Sequence, residues 1–567
     1  MKKNKTLIIS VLLCGLLGAN EIGQTNGSII ISSQEIKAMN IQMLVDLLNK
    51  LPGVKASDGF ISIQGSTTNE VLVLFDGRPL TDSLTGTANL GGISTDNLEK
   101  IEIIKGAGAA QYGDNTSGGV IMITSKKTGK SFVNKLDIAK GSLDTNKYGL
   151  NVGKSFDGIG VSLGANHEKS DGHRLNGDSE VNSMKIDLNT LLFRDIDTSF
   201  TTNYITDKGG TTGKITKPTL NARYEKESFG ALVLLKNDSF EGRGYLNCNE
   251  DFNTDPDYSI DSFLKTKTLG TDIKHNGDLS FLGQSIVGIN FENRSAEATN
   301  SGDHNENLYG IYGIKNLNFG EFGINLGLRL NSHTEFGSSF NPELGLMYKN
   351  GDFRSDLKIS RSSKTPTFKQ RYYESSTLKG NPDLEMESAT NYQLGNSIKV
   401  TDNLSANFNL FYSKIDDGIS GSYNADGIYI YENVTSSTRK GYEAGFDVKI
   451  NDMLNIDTSY LNLIFKNDDT GLYLPAKPKH KIQSDIYATY KNFKANLGGY
   501  YVSESFNDNK NKEVLPGYFS ANSKVEYGYK NMKFYVEVEN LFDKDYDVHI
   551  GYPAAGRTYL FGMNYLF

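Results

Sequence analysis

The chain has 567 residues, which is too long for one ordinary soluble core, so its length predicts either several domains or one very large barrel. Its 59 Gly, 31 Tyr and 29 Phe occur with no Trp and a mean hydropathy of −0.42, which is typical of strands whose side chains alternate between lipid and a wet lumen. The net charge of −8 argues against nucleic acid as a partner, because binding it needs a basic surface.

The N-terminus predicts a secretory signal. Three lysines precede the apolar run Leu7–Ala19, which is too short to span a bilayer, so we assign residues 1–19 to a signal peptide and residues 20–28 to a periplasmic leader. A lipoprotein modified at Cys14 is the less favoured alternative, because the residue before that cysteine is not small. After removal of the signal only Cys248 remains, which excludes an internal disulfide and a cysteine-based zinc site.

A helix is predicted soon after the leader. Ser32 and Glu35 have the spacing of a capping box, which marks a helix start. Apolar residues then recur at helical spacing until Pro52-Gly53 ends the pattern: Ile41, Leu44, Val45 and Leu48.

Three short apolar strands follow, at Val71–Phe75, Ile101–Lys105 and Val120–Thr124, and Asp76-Gly77 predicts a tight turn after the first. Several glycines lie between the second and third strands. A phosphate cradle would need a helix that opens directly after the strand. Here the loop runs on into another strand, which argues against a nucleotide site.

The stretch from Asn69 to Lys127 contains four motifs in this order: Asp-Gly-x-Pro, Ile-Glu-x-Ile-Lys-Gly, Tyr-Gly and Gly-Gly-Val-Ile-x-Ile. With these motifs in the same order, it resembles the plug domain of TonB-dependent outer-membrane receptors. Leu51-Pro52-Gly53-Val54 fits the family's preceding helix end. Gln64-Gly65 replaces the usual Arg-Gly, so no plug arginine is carried over here to pair with barrel acids, and Ala107-Gly108-Ala109 replaces a proline-containing loop. We assign residues 29–127 to the plug.

From about Ser131 the hydrophobic period changes to two, as in Ile159–Ala165 and Met532–Val538. The breaks alternate between short ones such as Phe156-Asp157-Gly158 and long ones such as Glu168–Val181. Short turns at one end and long loops at the other are typical of an outer-membrane barrel. We predict an all-β transmembrane barrel of about 22 antiparallel strands in residues 128–567, with a small α+β plug domain inside the lumen. A β-propeller would repeat at a fixed period, which is not seen.

The last strand places Tyr559, Phe561, Met563, Tyr565 and Phe567 on one face. An aromatic C-terminus of this kind resembles the signal by which outer-membrane barrels are recognised for insertion, carried here by Tyr565 and Phe567. Other stretches resemble barrel segments of the same family, so that the resemblance covers essentially all of the mature chain: Phe336–Tyr348, Gly380–Leu384, Asn433–Gly445 and Asn540–Tyr546. The closing loop looks especially like that of the vitamin B12 and siderophore receptor branch.

A folded plug in a barrel of this size blocks passive diffusion, and no nucleotide motif is present to move it. The resemblance implies mechanical coupling to TonB and its inner-membrane energising complex, which captures a short N-terminal peptide by strand addition. The alternative is that the leader is simply a disordered start of the chain. We assign the TonB contact to five residues of the leader, Glu21, Ile22, Gly23, Gln24 and Thr25.

An acidic loop is predicted at Glu241–Asp261. Its carboxylates are candidate ligands for a structural Ca²⁺ ion, which takes six to eight oxygens, although such a run is more often a solvated loop. The five candidates are Glu250, Asp251, Asp255, Asp257 and Asp261.

Two further loops are candidate cargo sites. The loop Lys364–Glu387 combines cations and phenols that suit an anionic or aromatic ligand, namely Lys364, Lys369, Arg371, Tyr372 and Tyr373. The second group, Tyr423, Tyr429 and Tyr431, also fits an interfacial aromatic girdle. His304, in the predicted loop Asn300–Asn307, is the residue that could serve as the axial ligand of a haem cargo.

The sequence thus predicts a monomeric TonB-dependent receptor in the outer membrane of a Gram-negative bacterium, importing a ferric siderophore or cobalamin into the periplasm without a required cofactor. A haem receptor, a plug-gated passive channel and a receptor for adhesion or signalling are the alternatives. No enzyme is predicted, because no Gly-x-Ser-x-Gly elbow or His-Glu-x-x-His pair occurs.

Overall fold

The computed structural model of the protein describes residues 28–39, 41–57, 59–88, 90–106, 108–129, 132–193, 195–278, 284–423 and 428–567. It consists of one closed β-barrel and a small sheet with helices that fills the barrel's lumen. The predicted signal peptide and the leader as far as residue 27 lie outside the described residues.

Seven strands build the plug: β1 Ser28–Ser32, β2 Val54–Ser57, β3 Phe60–Ile63, β4 Val71–Phe75, β5 Arg78–Pro79, β6 Leu98–Lys105 and β7 Gly119–Ser125. Five of them form one sheet in the order β1-β6-β7-β4-β5, in which only β4 and β7 pair in parallel, and β2 pairs with β3 in a hairpin. The three predicted strands are therefore confirmed, and β1 begins at Ser28, a residue that the sequence placed in the leader.

The plug helices are short: α1 Ser33–Met39, α2 Leu44–Asn49 and α3 Ala109–Tyr112, besides a 3₁₀ turn at Thr68–Glu70. The capping box is confirmed, because the amide of Ser32 donates to Glu35 Oε2 at 2.7 Å and the amide of Glu35 donates back to Ser32 Oγ. The prediction of one helix was wrong, since Ile41 lies between α1 and α2. None of the described helices is long and apolar enough to cross a membrane.

The glycine-containing segment between β6 and β7 differs from the uninterrupted loop that the sequence predicted. Residues Ala109–Tyr112 form a single helical turn, and Tyr112 packs against Ile104 and Val120 of the two strands. Packing against the sheet stabilises a turn that is too short to form alone.

The plug has its own apolar core. Side chains of α2 pack between the hairpin and the central strands, and each of the following is almost completely buried: Leu44, Leu47, Leu48, Ile61, Ile101, Ile103, Ile121 and Ile123. Burial of this many aliphatic side chains gives the plug the stability of a small folded domain.

The barrel consists of 22 long antiparallel strands, β8 to β29, whose bounds are Lys135–Gly141, Asn146–Phe156, Ile159–Ser170, Ser179–Leu192, Ile196–Gly210, Arg223–Lys236, Phe240–Asp255, Ile260–Asp278, Gln284–Ala298, Gly302–Phe319, Phe322–His333, Gly337–Asn350, Phe353–Lys364, Glu387–Thr401, Leu404–Tyr423, Tyr429–Asn451, Leu454–Asn467, His480–Tyr490, Phe493–Val502, Tyr518–Tyr529, Met532–Glu539 and Thr558–Leu566. The last strand pairs with the first, which closes the barrel and confirms the predicted architecture.

The connections alternate between the two ends of the barrel, which we name the short-turn end and the long-loop end. At the short-turn end Asp157 and Gly158 both have positive φ, the backbone of a two-residue hairpin turn. The long-loop end carries the helix α4 Phe368–Tyr372, the 3₁₀ turn Pro256–Tyr258 and two-residue strands at Gly213–Lys214, Lys217–Pro218, Leu378–Lys379, Ser505–Phe506, Val514–Leu515 and Tyr552–Pro553, with a three-residue one at Asp547–His549.

Two predicted loops are largely strand. The acidic segment Glu241–Asp261 covers nearly all of the strand Phe240–Asp255, the 3₁₀ turn Pro256–Tyr258 and the first residues of the strand Ile260–Asp278. His304 lies in the strand Gly302–Phe319. In the acidic hairpin Glu250 lies opposite Lys265. Cross-strand pairs of opposite charge stabilise a ladder, so these strands continue well beyond the apolar part of the wall.

Candidate functional site

A buried ion pair joins the plug to the barrel wall near the short-turn end. Lys105 Nζ of β6 lies 2.8 Å from Glu443 Oε2 on the strand Tyr429–Asn451, and the two side chains are only 6% and 3% exposed. Gln64 Nε2 donates to the same carboxylate at 3.3 Å. Residue 64 is glutamine, not the arginine that would pair with a barrel acid. Lys105 of the plug supplies the cation that pairs with Glu443 instead.

A second pair has the opposite polarity. Arg439 Nη1 donates to Glu70 Oε2 at 2.9 Å, and Arg439 Nη2 donates to the carbonyl oxygen of Ser117. Burial acts to raise the pKa of Glu70, but the nearby cations Arg439 and Lys364 hold that pKa below its ordinary value. The carboxylate is thus kept charged inside the lumen, where its guanidinium partner compensates the lost hydration.

A third contact fixes the loop after α3. Asp114 of the plug accepts hydrogen bonds from Asn331 at 2.6 Å and Asn341 at 3.3 Å, and its other oxygen lies 2.6 Å from His333 Nε2. The Asp114 and His333 side chains are 1% and 3% exposed. These three buried contacts hold the plug against strands that lie between Phe322 and Asn451.

On the opposite wall Arg78 of the plug meets neutral partners. Arg78 of β5 donates hydrogen bonds to the side-chain oxygens of Asn203 and Asn247, and Asn247 donates to the carbonyl oxygen of Pro79 at 2.9 Å. Burial lowers the pKa of Arg78 to about 10, with Asp76 acting against the shift. A guanidinium buried among amides remains charged at neutral pH.

At the long-loop end the plug meets helix α4. Thr367 and Gln370 form a capping box that starts this helix, and the amide of Lys369 donates to the carbonyl oxygen of Leu84 in a plug loop at 3.0 Å. Phe368 packs with Leu84 against the wall. The helix therefore begins on the plug tip, and the segment Thr365–Thr367 just before it lines a cavity between the plug tip and the wall.

Two of the predicted cargo-binding cations are not available to a ligand. Lys364 Nζ lies 2.8 Å from Glu387 Oε2, and Arg371 Nη2 lies 2.6 Å from Glu306 Oε2. All four side chains are buried, and the Arg371 guanidinium is also enclosed by aromatic rings. A buried cation needs its carboxylate partner, so the structure gives these two residues a structural role, and their part in cargo binding stays a prediction.

The other members of the predicted loop are half-buried at the long-loop end. Lys369 Nζ lies 5.4 Å from the ring centroid of Tyr373, whose hydroxyl accepts a hydrogen bond from Asn300. Burial lowers the pKa of Lys369. The rings of Tyr429 and Tyr431 stand perpendicular at 5.6 Å on the facing strand, while the Tyr423 side chain lies outside the described part.

His304 is engaged by its neighbours. Its ring stacks on Tyr372 with a centroid distance of 3.7 Å, and its Nε2 forms a hydrogen bond with the carbonyl oxygen of Ser301. The nitrogen that a haem iron would need is therefore occupied, and His304 serves here as part of the aromatic cluster.

The acidic hairpin separates its carboxylates. Glu250 pairs with Lys265 at 3.3 Å, and Asp255 accepts the amide of Asp257, which in turn accepts from Asn221. Within the described ranges, no three His, Cys, Asp or Glu side chains converge as a metal site requires. The carboxylates as placed do not surround a Ca²⁺ ion. Calcium binding by the five predicted residues, with Asp251 and Asp261 among them, stays a prediction.

Two predicted signals lie at the ends of the chain. The proposed TonB contact Glu21–Thr25 lies outside the described residues. Tyr565 and Phe567 stack at 5.8 Å on the outward face of the last strand, where both are exposed. Their role in insertion remains a prediction.

Two family profiles match this chain. The one described as TonB-dependent Receptor Plug Domain matches residues 22–120, and the one described as TonB dependent receptor-like, beta-barrel matches residues 106–541. The chain belongs to the TonB-dependent receptor family.

Several relatives of this receptor are named transporters. It is 24% identical to the vitamin B12 transporter BtuB of Photobacterium profundum, over 95% of this chain and 92% of that protein, and 23% identical to BtuB of Vibrio vulnificus over 97% and 94%. The siderophore receptor PirA of Acinetobacter baumannii superposes with a TM-score of 0.81 at 17% identity, covering 96% of this chain and 98% of PirA. The ferric enterobactin receptor PfeA of Pseudomonas aeruginosa, in complex with enterobactin, gives 0.80 at 19%, covering 96% and 100%. At such identities the structural matches establish the fold alone.

Sequence reasoning missed the charged groups that hold the plug of this receptor. Glu443 is the last residue of the Lys-Gly-x-Glu motif, and Lys105 belongs to the Ile-Lys-Gly motif. The sequence shows both motifs but does not show that these two residues pair. Asp114 and Glu70 gave no signal, because their partners lie more than 200 residues away in the sequence.

Proposed function

We propose that this receptor lies in the outer membrane of a Gram-negative bacterium and imports a large, scarce nutrient, either a ferric siderophore or cobalamin, into the periplasm. The names of its relatives support both cargo classes. Its outward-facing apolar residues, such as Leu269, Ile289 and Ile311, suit a lipid environment.

The observation that carries this proposal is the plug itself. A folded core fills the lumen and is fixed to the wall by the Lys105–Glu443, Glu70–Arg439 and Asp114–His333 contacts. Breaking one buried pair typically costs about 3–5 kcal/mol, so thermal motion alone rarely opens the lumen. Energy delivered through TonB, pulling on the segment before β1, accounts for transport.

The cargo binds at the long-loop end beside α4. Lys369, Tyr373 and Tyr431 offer one cation and two phenols there, which suits an anionic or aromatic ligand. The engaged state of His304 makes haem the weaker alternative.

Uptake of radiolabelled cobalamin and ⁵⁵Fe-siderophores should be measured in cells that carry this receptor, with and without TonB. We expect accumulation only when TonB is present. Equal uptake in both strains would instead support a plug-gated passive channel.

Binding should also be measured with the purified receptor by calorimetry against cobalamin, ferric siderophores and haem, each with and without Ca²⁺. The double variant Lys369→Ala/Tyr373→Ala should weaken cargo binding about tenfold, since it removes a cation and a ring from the proposed site. Lys379→Ala is the matched control, because this lysine is exposed and pairs with Glu374 instead. No binding by the wild type to any of these cargoes would contradict the proposal.

A further inference from the structure

A small cavity lies between the plug tip and the wall beside the start of α4, and we call it the plug-tip cavity. Its volume is about 90 Å³, and its lining includes Tyr112 and Gly113 of the plug and Arg243, Asn290 and Arg329 of the wall. This volume has room for several water-sized groups, whereas sites for drug-sized ligands begin at about 300 Å³. The plug-tip cavity is therefore too small for a siderophore or cobalamin.

Arg329 brings to this cavity a buried guanidinium that has no carboxylate partner. The residue lies on the strand Phe322–His333 and is only 2% exposed. Its Nε donates to Asn331 Oδ1 at 2.6 Å and its Nη2 donates to the side-chain oxygen of Asn290. In the part of the chain that the structure describes, no Asp or Glu forms an ion pair with it, and its Nη1 is buried without an acceptor. A buried charge with an unused N–H donor is costly unless an acceptor of opposite charge compensates it.

Arg243 supplies a second guanidinium to the same cavity. Cross-strand pairing places Arg243 opposite Asp272, and Asp272 opposite Asn290, the residue that accepts from Arg329. The Nη2 atom of Arg243 lies 3.6 Å from Asp272 Oδ1, and its Nε is buried without an acceptor. Two guanidinium groups that line the cavity therefore each have one N–H without a hydrogen bond.

The acids that line the cavity already have partners. Each of the following accepts hydrogen bonds or pairs with a cation: Asp82, Asp114, Asp272, Glu292 and Glu306. Asp114 and Asp272 attract Arg329 from a distance, but other donors use their oxygens. The side-chain oxygens of Gln111 and Asn115 are buried without a donor, and either amide can turn its NH₂ group towards an anion instead. The charged groups left unsatisfied at this cavity are thus guanidinium donors.

We propose that the plug-tip cavity binds a small monovalent inorganic anion, such as chloride, at Arg329 and Arg243. Guanidinium N–H groups form strong, charge-assisted hydrogen bonds to anions. A Cβ atom at Gly113 of the plug would lie only 3.1 Å from Arg329 Nη2, so the plug backbone covers this guanidinium. An anion bound there compensates the buried charge where plug and wall meet, and it stabilises the docked plug. This inference goes beyond the proposed function and is independent of the cargo.

The first test locates the anion. Crystals of the full-length receptor, grown without halide, are soaked in sodium bromide, and anomalous diffraction is measured at the bromine absorption edge. We expect a bromide peak in the plug-tip cavity beside Arg329 of the wild type and no peak there in Arg329→Gln. If bromide appears only elsewhere on the wild-type protein, as an adventitious ion only, the inference is overturned.

The second test measures binding in solution through the thermal midpoint of plug unfolding. Sodium bromide is titrated against sodium gluconate at equal ionic strength, because gluconate is too large for the cavity. At about five times its dissociation constant, bromide should raise the wild-type midpoint by about 2–4 °C. Arg329→Gln should lose this shift.

Arg78→Gln is the matched control. Arg78 is also buried and also donates to amide oxygens, but on the opposite wall, so its replacement should lower stability and keep the bromide shift. If Arg329→Gln does not fold, Arg243→Gln replaces it and should reduce the shift. An equal bromide shift in the wild type and the cavity variants overturns the inference. TonB-dependent uptake is measured separately, so its absence would count against the proposed function and leave the anion site standing.

Discussion

Single residues decide how firmly the plug is held. Lys105 and Glu443 are both buried, so neither can regain water if its partner is removed. Lys127 and Asp197 also join plug to barrel, at 3.1 Å, but are about half exposed. The same pairing chemistry therefore has different consequences at the two positions, because solvent screens only the second pair.

Replacing Lys105 by Met should destabilise the docked plug by about 3–5 kcal/mol, since Glu443 would be left as an uncompensated buried charge. Calorimetric unfolding of the purified receptor measures this loss. Lys127→Met should cost less than about 1 kcal/mol. Equal effects of the two substitutions would contradict the role that we give to burial.

Glu70 should make plug docking sensitive to acid. The pKa of Glu70 is lower in the folded state than in the unfolded state. As the pH falls below about 4.5, the unfolded state takes up a proton first, so the stability that Glu70 contributes decreases until the pH has passed its folded-state pKa. Limited proteolysis of the plug between about pH 3 and 7 should show this loss. Glu70→Gln should flatten the pH profile, whereas Glu374→Gln, at an exposed loop residue, should leave it unchanged.

Among the elements, the central plug strands depend on close contact between backbones. Gly119 opens β7 with φ +140°, and a Cβ atom at this position would meet the carbonyl oxygen of Ile104 on β6. Neither the dihedral angle nor the space suits another residue. Sheet packing therefore explains the glycine at the start of β7, and no phosphate ligand is needed to account for it.

Gly119→Ala should destabilise the plug by about 1–3 kcal/mol, because the residue must adopt a strained backbone or push β6 away. The thermal midpoint of plug unfolding is the measurement. Gly129→Ala provides the control, since nothing lies within 4 Å of a Cβ atom there. An unchanged midpoint for both variants would refute the packing argument.

On the scale of the whole molecule, transport requires relative movement of plug and wall. The amide of Asn115 in the plug donates to the carbonyl oxygen of Ser363 in the wall at 2.9 Å, so the two backbones are close enough for a disulfide bond. Ser362 and Ala389 are neighbours within the wall itself.

A disulfide in Asn115→Cys/Ser363→Cys, made in a Cys248→Ser background, should abolish uptake while leaving cargo binding intact, because the plug can no longer leave the wall. Reduction should restore uptake. Ser362→Cys/Ala389→Cys should form a bond that has no effect, since it joins parts of the wall that need not separate. Full uptake by the oxidised plug-to-wall variant would mean that this part of the plug stays in place during transport.

The acidic hairpin and the α4 loop illustrate why candidate sites were harder to predict than the fold. Counting carboxylates suggested a calcium site, but cross-strand pairing gave Glu250 a lysine partner. Counting cations suggested an anion site, but Lys364 and Arg371 are paired with Glu387 and Glu306. Which charges are neutralised depends on strand register and long-range contacts, and neither can be read from composition.

The sequence by itself determined the barrel, its 22 strands and the plug, because side-chain period, turn residues and ordered motifs are local properties of the chain. It also determined the capping box at Ser32 and the strands around Asp76-Gly77. Only the tertiary structure decided that Glu443 meets Lys105, that Arg439 meets Glu70, and that His333 meets Asp114. Closing the barrel around the plug brings together charged residues that are hundreds of positions apart, so the sequence alone does not identify the partners.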